Sequence, residues 1–237
     1  MAAAERSVIT RVAIFAGKAL LLLVLVSVGW VLAYRFVPVP FTWPMARDAF
    51  EGRHVEQEWV ALAAIAPAVP RSAITAEDAR FCSHRGFDFK AMEAAAERNA
   101  KAAAKGSTRV RGGSTISQQT AKNAFLWPGR SYLRKGLEAY FTVLVEAIWG
   151  KPRIMEVYLN IAEMGPGIYG VEAAAQHYFH TSAAELSPAQ AARIAAILPQ
   201  PIKRDAAKPG RCVKKYAKRI ERHARFVGRE GIDACLG

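Results

Sequence analysis

Residues Ala19 to Tyr34 read ALLLLVLVSVGWVLAY, an unbroken apolar run. Extended back through Val12, it reaches the roughly 20 residues a helix needs to cross the hydrocarbon core of a bilayer. Lys18 near one end can carry its ammonium to the interface on an apolar stem. The exit, Trp30 to Phe36, is bulky and lacks a small-x-small cleavage pattern, so the run reads as a retained anchor rather than a cleaved signal. Arg6, Arg11 and Lys18 lie before or at its start. The positive-inside rule therefore leaves the N-terminus in the cytoplasm and sends everything after Arg35 outward.

With residues 1–36 taken as cytoplasmic N-terminus and transmembrane anchor, Pro38, Pro40 and Pro44, with Phe41 and Trp43 between them, predict a stiff extended exit. The linker is assigned to residues 37–57, and a short helix is expected over Trp59 to Ile65. Residues 58–237 then form one sizeable domain with a basic C-terminal tail. Its composition is alanine-rich, with few alternating β-branched runs, so the fold class is mainly α. A formal charge of +13 asks for nucleic acid, an anionic bilayer surface or a phosphorylated substrate, and an extracytoplasmic domain argues against nucleic acid. Cys82, Cys212 and Cys235 are widely spaced, without a C-x-x-C pair or a histidine at ligand spacing, which argues against zinc and leaves at least one thiol outside any intramolecular disulfide.

The densest stretch of reactive side chains is Ile74 to Asp88, ITAEDARFCSHRGFD. Pro67 and Pro70 read as breaks before it, and Thr75 reads as an N-cap that places Glu77 and Asp78 in the first turn of a helix. Lys90 to Lys105 follows as an alanine-rich scaffold helix. Gly112 to Asn123, GGSTISQQTAKN, places Ser114 or Thr115 as the cap of a helix whose N-terminus suits an anion. Ser114, Gln118 and Lys122 recur there at four-residue spacing. Arg130 adds a cation after the Trp127-Pro128-Gly129 turn. Ser131 caps a further helix with an apolar stripe of Leu133, Leu137, Tyr140, Phe141, Leu144 and Ile148. Arg134 and Lys135 in its first turn oppose the helix dipole unless an anion or Glu138 offsets them.

Pro152 suits the first turn of a helix with Ile154, Val157, Tyr158 and Ile161 inward. Gly165 to Gly170 reads as a loop, Val171 to Phe179 as helix, and Ser187-Pro188-Ala189-Gln190 as a capped helix start. The tail from Lys203 spaces Tyr216, Ile220 and Val227 for one helix face, packed on the domain or resting on anionic lipid.

Glu77, Asp78, Phe81, His84, Gly86 and Asp88 resemble the E-D-x-x-F-x-x-H-x-G-x-D signature of the peptidoglycan glycosyltransferases, the lysozyme-like family that polymerises lipid II. Gly113 to Asn123 resembles that family's G-S-T-I-x-Q-Q-x-x-K-N motif, and Arg134, Lys135 and Glu138 its R-K-x-x-E. Lys151 to Asn160 resembles its K-x-x-I-L-E-x-Y-L-N motif, with Met155 in place of leucine, a volume-conserving change. The chain lacks the S-x-x-K nucleophile motif of a penicillin-binding transpeptidase domain, so the resemblance is to the family's monofunctional members.

The resemblance implies a lysozyme-like helical glycosyltransferase domain behind one transmembrane helix, in the bacterial inner membrane with the domain periplasmic. It implies attack of the 4-hydroxyl of one lipid II on the anomeric carbon of the growing strand, with inversion and release of undecaprenyl pyrophosphate. It assigns Glu77 as general base and Glu138 as second essential acid, and places Asp78, Ser114, Gln118, Gln119, Lys122, Asn123, Arg130, Arg134 and Lys135 at the substrate. No cofactor is required by the sequence, although a divalent metal, Mg or Mn, at the pyrophosphate is compatible with it. Partners are lipid II, the growing glycan strand, the membrane and other cell-wall synthesis or division proteins. A base in a helix's first turn is in tension with its task, because the dipole there lowers a carboxylate's pKa. A lysozyme-like lytic glycosidase and a non-catalytic scaffold are the rival readings, and the cation cluster argues against the glycosidase.

Overall fold

The computed structural model describes residues 2–106, 112–129 and 131–237, with backbone alone over 2–9. Two compact units divide at Val37 and Pro38. The first is the helix α1, Ala2–Phe36, whose Thr10–Phe36 portion is long and apolar enough to cross a membrane.

The second unit is mainly helical, as the composition predicts. It runs α2 (Trp43–Phe50), α3 (Ala68–Glu77), α4 (Phe89–Ala103), α5 (Ile116–Phe125), α6 (Tyr132–Ile148), α7 (Gly150–Ile161), α8 (Val171–Phe179), α9 (Pro188–Ile197) and α10 (Arg211–Arg229). A small sheet joins β1 (Glu56–Gln57), β2 (Glu163–Gly165) and β3 (Ile168–Tyr169) in the order β1-β3-β2, with β1 parallel and β2 antiparallel to β3.

The centre of the unit is α7, where Ile154, Met155, Val157, Tyr158, Leu159 and Ile161 are all buried. A helix this apolar around its circumference must be enclosed, and α5, α6 and α8 pack against it. Asn160 is also fully buried. Its amide donates to the Val60 and Glu156 carbonyls and accepts from the Val60 N–H, which satisfies a polar group that would otherwise be costly to bury. On the other side, α10 lays Ala217, Ile220 and Val227 inward against α9 and α3. The tail is therefore a packed helix of the domain.

Several local expectations are corrected. Proline at the second position of α2 and the Thr42 cap, which accepts from the Met45 N–H, make a helix where an extended exit was expected. The expected helix over Trp59 to Ile65 is only a 3-10 turn, Leu62–Ala64. The Gly165 to Gly170 loop contributes to the hairpin β2–β3. The buried face of α6 is Glu138, Phe141, Thr142 and Val145, whereas Leu133 is 70% exposed. Stacking of Phe141 on Phe125, with ring centroids 4.7 Å apart, sets that rotation. Cys82 and Cys235 form a disulfide, and Cys212 is a free exposed thiol.

Candidate active site

Glu77 is the last residue of α3 and Asp78 its C-cap. Thr75 caps nothing: it lies in the last turn and its hydroxyl donates to the Arg71 carbonyl at 2.8 Å. The helix begins earlier because Pro67 and Pro70 fall at its cap and first turn, where a missing N–H breaks no ladder bond. The reversal removes the electrostatic tension: the helix C-terminus carries negative partial charge and disfavours a second anion.

The two adjacent acids have different fates. Asp78 is buried; its carboxylate takes His84 Nε2 at 2.9 and 3.0 Å and the Ile116 N–H, at the start of α5, at 2.9 Å. It therefore caps another helix and fixes α5 beside α3. Thr115 completes that cap with a capping box to Gln118, and its hydroxyl donates to the Gly86 carbonyl at 2.6 Å. Gly86 has φ +89, and a Cβ there would meet Thr142 Cγ2 at 2.8 Å, so only glycine fits. Asp88 caps α4 through the Ala91 N–H and pairs with Arg80. Lys151 of the fourth motif pairs with Glu146 and lies over the Phe81 ring. All of these residues hold the frame.

Glu77 instead faces a cleft of about 990 Å³, lined also by Ser114, Gln119, Lys122, Gln200, Arg204, Cys212, Tyr216 and Arg219. Burial pushes its carboxyl above the ordinary value, with Asp78 adding to the rise; the Gln119 amide, donating at 3.0 Å, and the charges of Arg204 and Lys122 pull the other way without prevailing. Burial likewise pulls the Lys122 ammonium down, helped by Arg134 and Lys135 and opposed by Glu138 and Glu77. A carboxyl raised by burial beside a cation of lowered pKa is the pattern of acid–base chemistry.

A second pocket of about 420 Å³ shares Gln119, Lys122 and Leu198 with the cleft and adds Arg47, Asn123, Arg134, Tyr158 and Glu163. Behind it, Glu138 is buried, paired with Lys135 and 3.8 Å from Arg134 Nη1. The first-turn cations of α6 are thus answered from within by Glu138. The guanidinium Nε of Arg134 is buried without a partner.

Of the residues singled out from sequence, Glu77, Ser114, Gln119 and Lys122 meet at the cleft, and Lys122, Asn123 and Arg134 meet at the second pocket. Glu138, with Lys135, stands behind them. Gln118 is buried in the capping box of α5, and the Asp78 carboxylate is engaged by His84 and the Ile116 N–H. Arg130 lies outside the described residues. Sequence reasoning missed Arg204, Tyr216 and Arg219, which reach the cleft from the tail. The one signal was the Tyr216 and Arg219 spacing: their ring and guanidinium stack at 5.1 Å, and the Tyr216 hydroxyl donates to the Ala76 carbonyl at 3.2 Å. Arg47 was missed because a linker was expected over residues 37–57, and Glu163 because it falls between the expected helix through Ile161 and the expected loop from Gly165.

The family pattern described as transglycosylase matches residues 46–226. A biosynthetic peptidoglycan transglycosylase of Caulobacter vibrioides is 56% identical over 218 residues, covering 91% of this chain and 93% of that protein. Proteins of the same description from Bdellovibrio bacteriovorus and Rhodospirillum centenum are 51% and 46% identical, covering 92% and 94% of this chain and 88% and 93% of theirs. With matches spanning most of its length, the chain belongs to the transglycosylase family.

Proposed function

We propose that the protein is a membrane-anchored peptidoglycan glycosyltransferase that polymerises lipid II into β-1,4-linked glycan strands for the bacterial cell wall. Glu77 takes the proton of the acceptor 4-hydroxyl as its oxygen bonds to the anomeric carbon of the growing strand. The bond from that carbon to the pyrophosphate oxygen breaks on the opposite face, which inverts the centre. Charge developing on the leaving pyrophosphate is met by Lys122 and Arg134, with Arg130 and Lys135 as further cations. Glu138 holds Lys135 and Arg134 in place from behind. The observation that carries this reading is the raised carboxyl of Glu77 on a large cleft whose polar wall includes Lys122.

The donor set near the pyrophosphate does not suit a bound divalent ion. It is mainly cationic, Glu138 is engaged by Lys135, Glu163 by Arg47, and no cluster of three or more His, Cys, Asp or Glu with ligand geometry occurs among the described residues. No step here runs through Mg or Mn.

The apolar helix α1 would confine the enzyme to the inner membrane beside its lipid-linked substrate, with the N-terminus cytoplasmic and the second unit periplasmic. The Cys82–Cys235 disulfide supports that side, since such bonds persist in oxidising compartments. Purified full-length protein in detergent is expected to convert lipid II into polymer. Cleavage of finished glycan strands without polymer growth overturns the reading in favour of a hydrolase.

A further inference from the structure

Among the described residues, three buried side-chain atoms have no hydrogen-bond partner: Ser72 Oγ, Arg134 Nε and the Tyr158 hydroxyl. Such atoms are uncommon in folded proteins, and each asks for an explanation. Ser72 lines neither the cleft nor the second pocket. Arg134 and Tyr158 both line the second pocket. Tyr158 is only 1% exposed. The other tyrosines at comparable places are satisfied within the protein: Tyr169 donates to Asp48 at 2.9 Å, Tyr178 to the Met164 carbonyl at 2.9 Å, and Tyr216 to the Ala76 carbonyl at 3.2 Å.

We propose that the Tyr158 hydroxyl is a substrate-binding group, donating a hydrogen bond to a pyrophosphate oxygen of the lipid-linked substrate seated in the second pocket beside Lys122 and Arg134 Nε. The inference rests on the function proposed above and adds to it a binding residue that the cation motifs do not contain. The argument for an anion is the company the hydroxyl keeps. Lys122, Arg47 and Arg134 carry donors and no acceptors, and Glu163, the carboxylate on the same wall, is already engaged by Arg47, so the ligand that satisfies the pocket is rich in acceptors and negatively charged. A phosphate oxygen supplies both properties, whereas a sugar hydroxyl supplies only the first. Burial, then the nearby charges of Glu77 and Asp78, hold the phenol well above its ordinary value. It therefore stays protonated at neutral pH and acts as a donor.

The test is Tyr158→Phe in the full chain in detergent, with three readings: affinity for inorganic pyrophosphate, KM for lipid II, and Tm. Loss of one hydrogen bond to a charged group weakens pyrophosphate binding and raises KM by about ten-fold or more. Because the hydroxyl has no partner inside the protein, its removal leaves Tm unchanged or higher. That combination separates a binding role from a structural one. Pyrophosphate affinity within about two-fold of wild type overturns the proposal, as does weakened affinity with a lowered Tm, which would reveal a structural partner. A wild-type protein that binds pyrophosphate through Tyr158 but forms no polymer from lipid II would instead sink the functional reading and leave the anion site standing.

Discussion

Asp48 and Glu77 are both carboxylates pressed into the protein, and they respond in opposite directions. Asp48 is fully buried and accepts from Arg47, from Arg53 at 2.7 Å, from the Tyr169 hydroxyl at 2.9 Å and from the Gly167 N–H at 3.2 Å. Burial is the largest single influence on it and pushes its pKa up, yet the Arg47 and Tyr169 hydrogen bonds and the Arg47 charge outweigh burial and leave it lowered. Among the described residues Glu77 has one close donor, Gln119, and burial wins. The difference lies in how completely each anion is answered. A saturated carboxylate is a rivet holding α2 to β3, and an under-answered one on a cleft is ready to take a proton.

The largest effect expected is on turnover. Glu77→Gln removes the base while keeping shape, and polymerisation from lipid II falls by about 10² to 10⁴-fold, the usual worth of a general base. Tm stays level or rises, because a neutral amide replaces a group disfavoured in its charged form. Near-normal turnover would mean that Glu77 is a second rivet and would end the contrast. For Asp48→Ala the expectation is reversed. Leaving the buried Tyr169 hydroxyl and Gly167 N–H without their acceptor costs about 1–3 kcal/mol of stability for each, read as a large drop in Tm. An unchanged Tm in that variant would show that saturation does not mark structural acids here.

The pH dependence of stability separates the same two groups. The folded pKa of Asp48 is depressed, so its contribution is present above its unfolded value and is lost as pH falls through the folded one. The folded pKa of Glu77 is raised, so the stability tied to its protonated form is present below the unfolded value and is lost as pH rises through the folded one. Acid therefore weakens the Asp48 rivet while it relieves Glu77. In thermal scans from pH 7 to pH 3, Glu77→Gln is expected to lose its stability advantage over wild type as pH falls. A constant advantage across that range would contradict the raised carboxyl.

Part of the fold and of the site was legible in the sequence, and what was missed has physical causes. The helices α4, α8 and α9 were readable because composition and caps are local: α4 is alanine-rich, and the Ser187 hydroxyl accepts from the Gln190 N–H at the start of α9. The four motifs were readable because each is a contiguous string. Thr75 was misread because a T-x-E-D string is equally good at either end of a helix, and only Pro67, eight positions earlier, begins α3. Asp48 was invisible, since its partners Gly167 and Tyr169 lie more than a hundred residues away. The same holds for Tyr158, whose missing partner is a property of the packed core, and for Arg204 and Tyr216, which reach the cleft through tertiary contact alone.

The disulfide offers a smaller lever on the same cleft. Cys82 follows the Glu77–Asp78 pair, and Cys235 follows α10, which supplies Tyr216 and Arg219 to the cleft. Replacing both cysteines by serine opens a loop of 153 residues and is expected to cost about 2–4 kcal/mol. The check is Tm of the double variant against wild type, each with and without reductant. Reductant should lower the wild-type value and leave the variant unmoved. A wild-type Tm insensitive to reductant would remove the disulfide from the account.

The finest test alters how completely Glu77 is answered without touching Glu77. Gln119 donates to its carboxylate at 3.0 Å and lowers its pKa. Gln119→Ala deletes that donor, so the carboxyl should rise further above the ordinary range. A base works only when ionised, so the acidic limb of the pH profile for kcat/KM should move to higher pH, by about one unit or less for one hydrogen bond of roughly 1 kcal/mol. The alkaline side should keep its position even if its height drops through lost substrate contact. Height and position separate the two roles of Gln119: a residue that only binds substrate lowers the whole profile without moving the limb, and a residue that tunes the base moves it. A limb that stays in place or shifts to lower pH would show that Gln119 does not set the ionisation of Glu77. The gap between the two acids would then have to come from burial and the end of α3 alone.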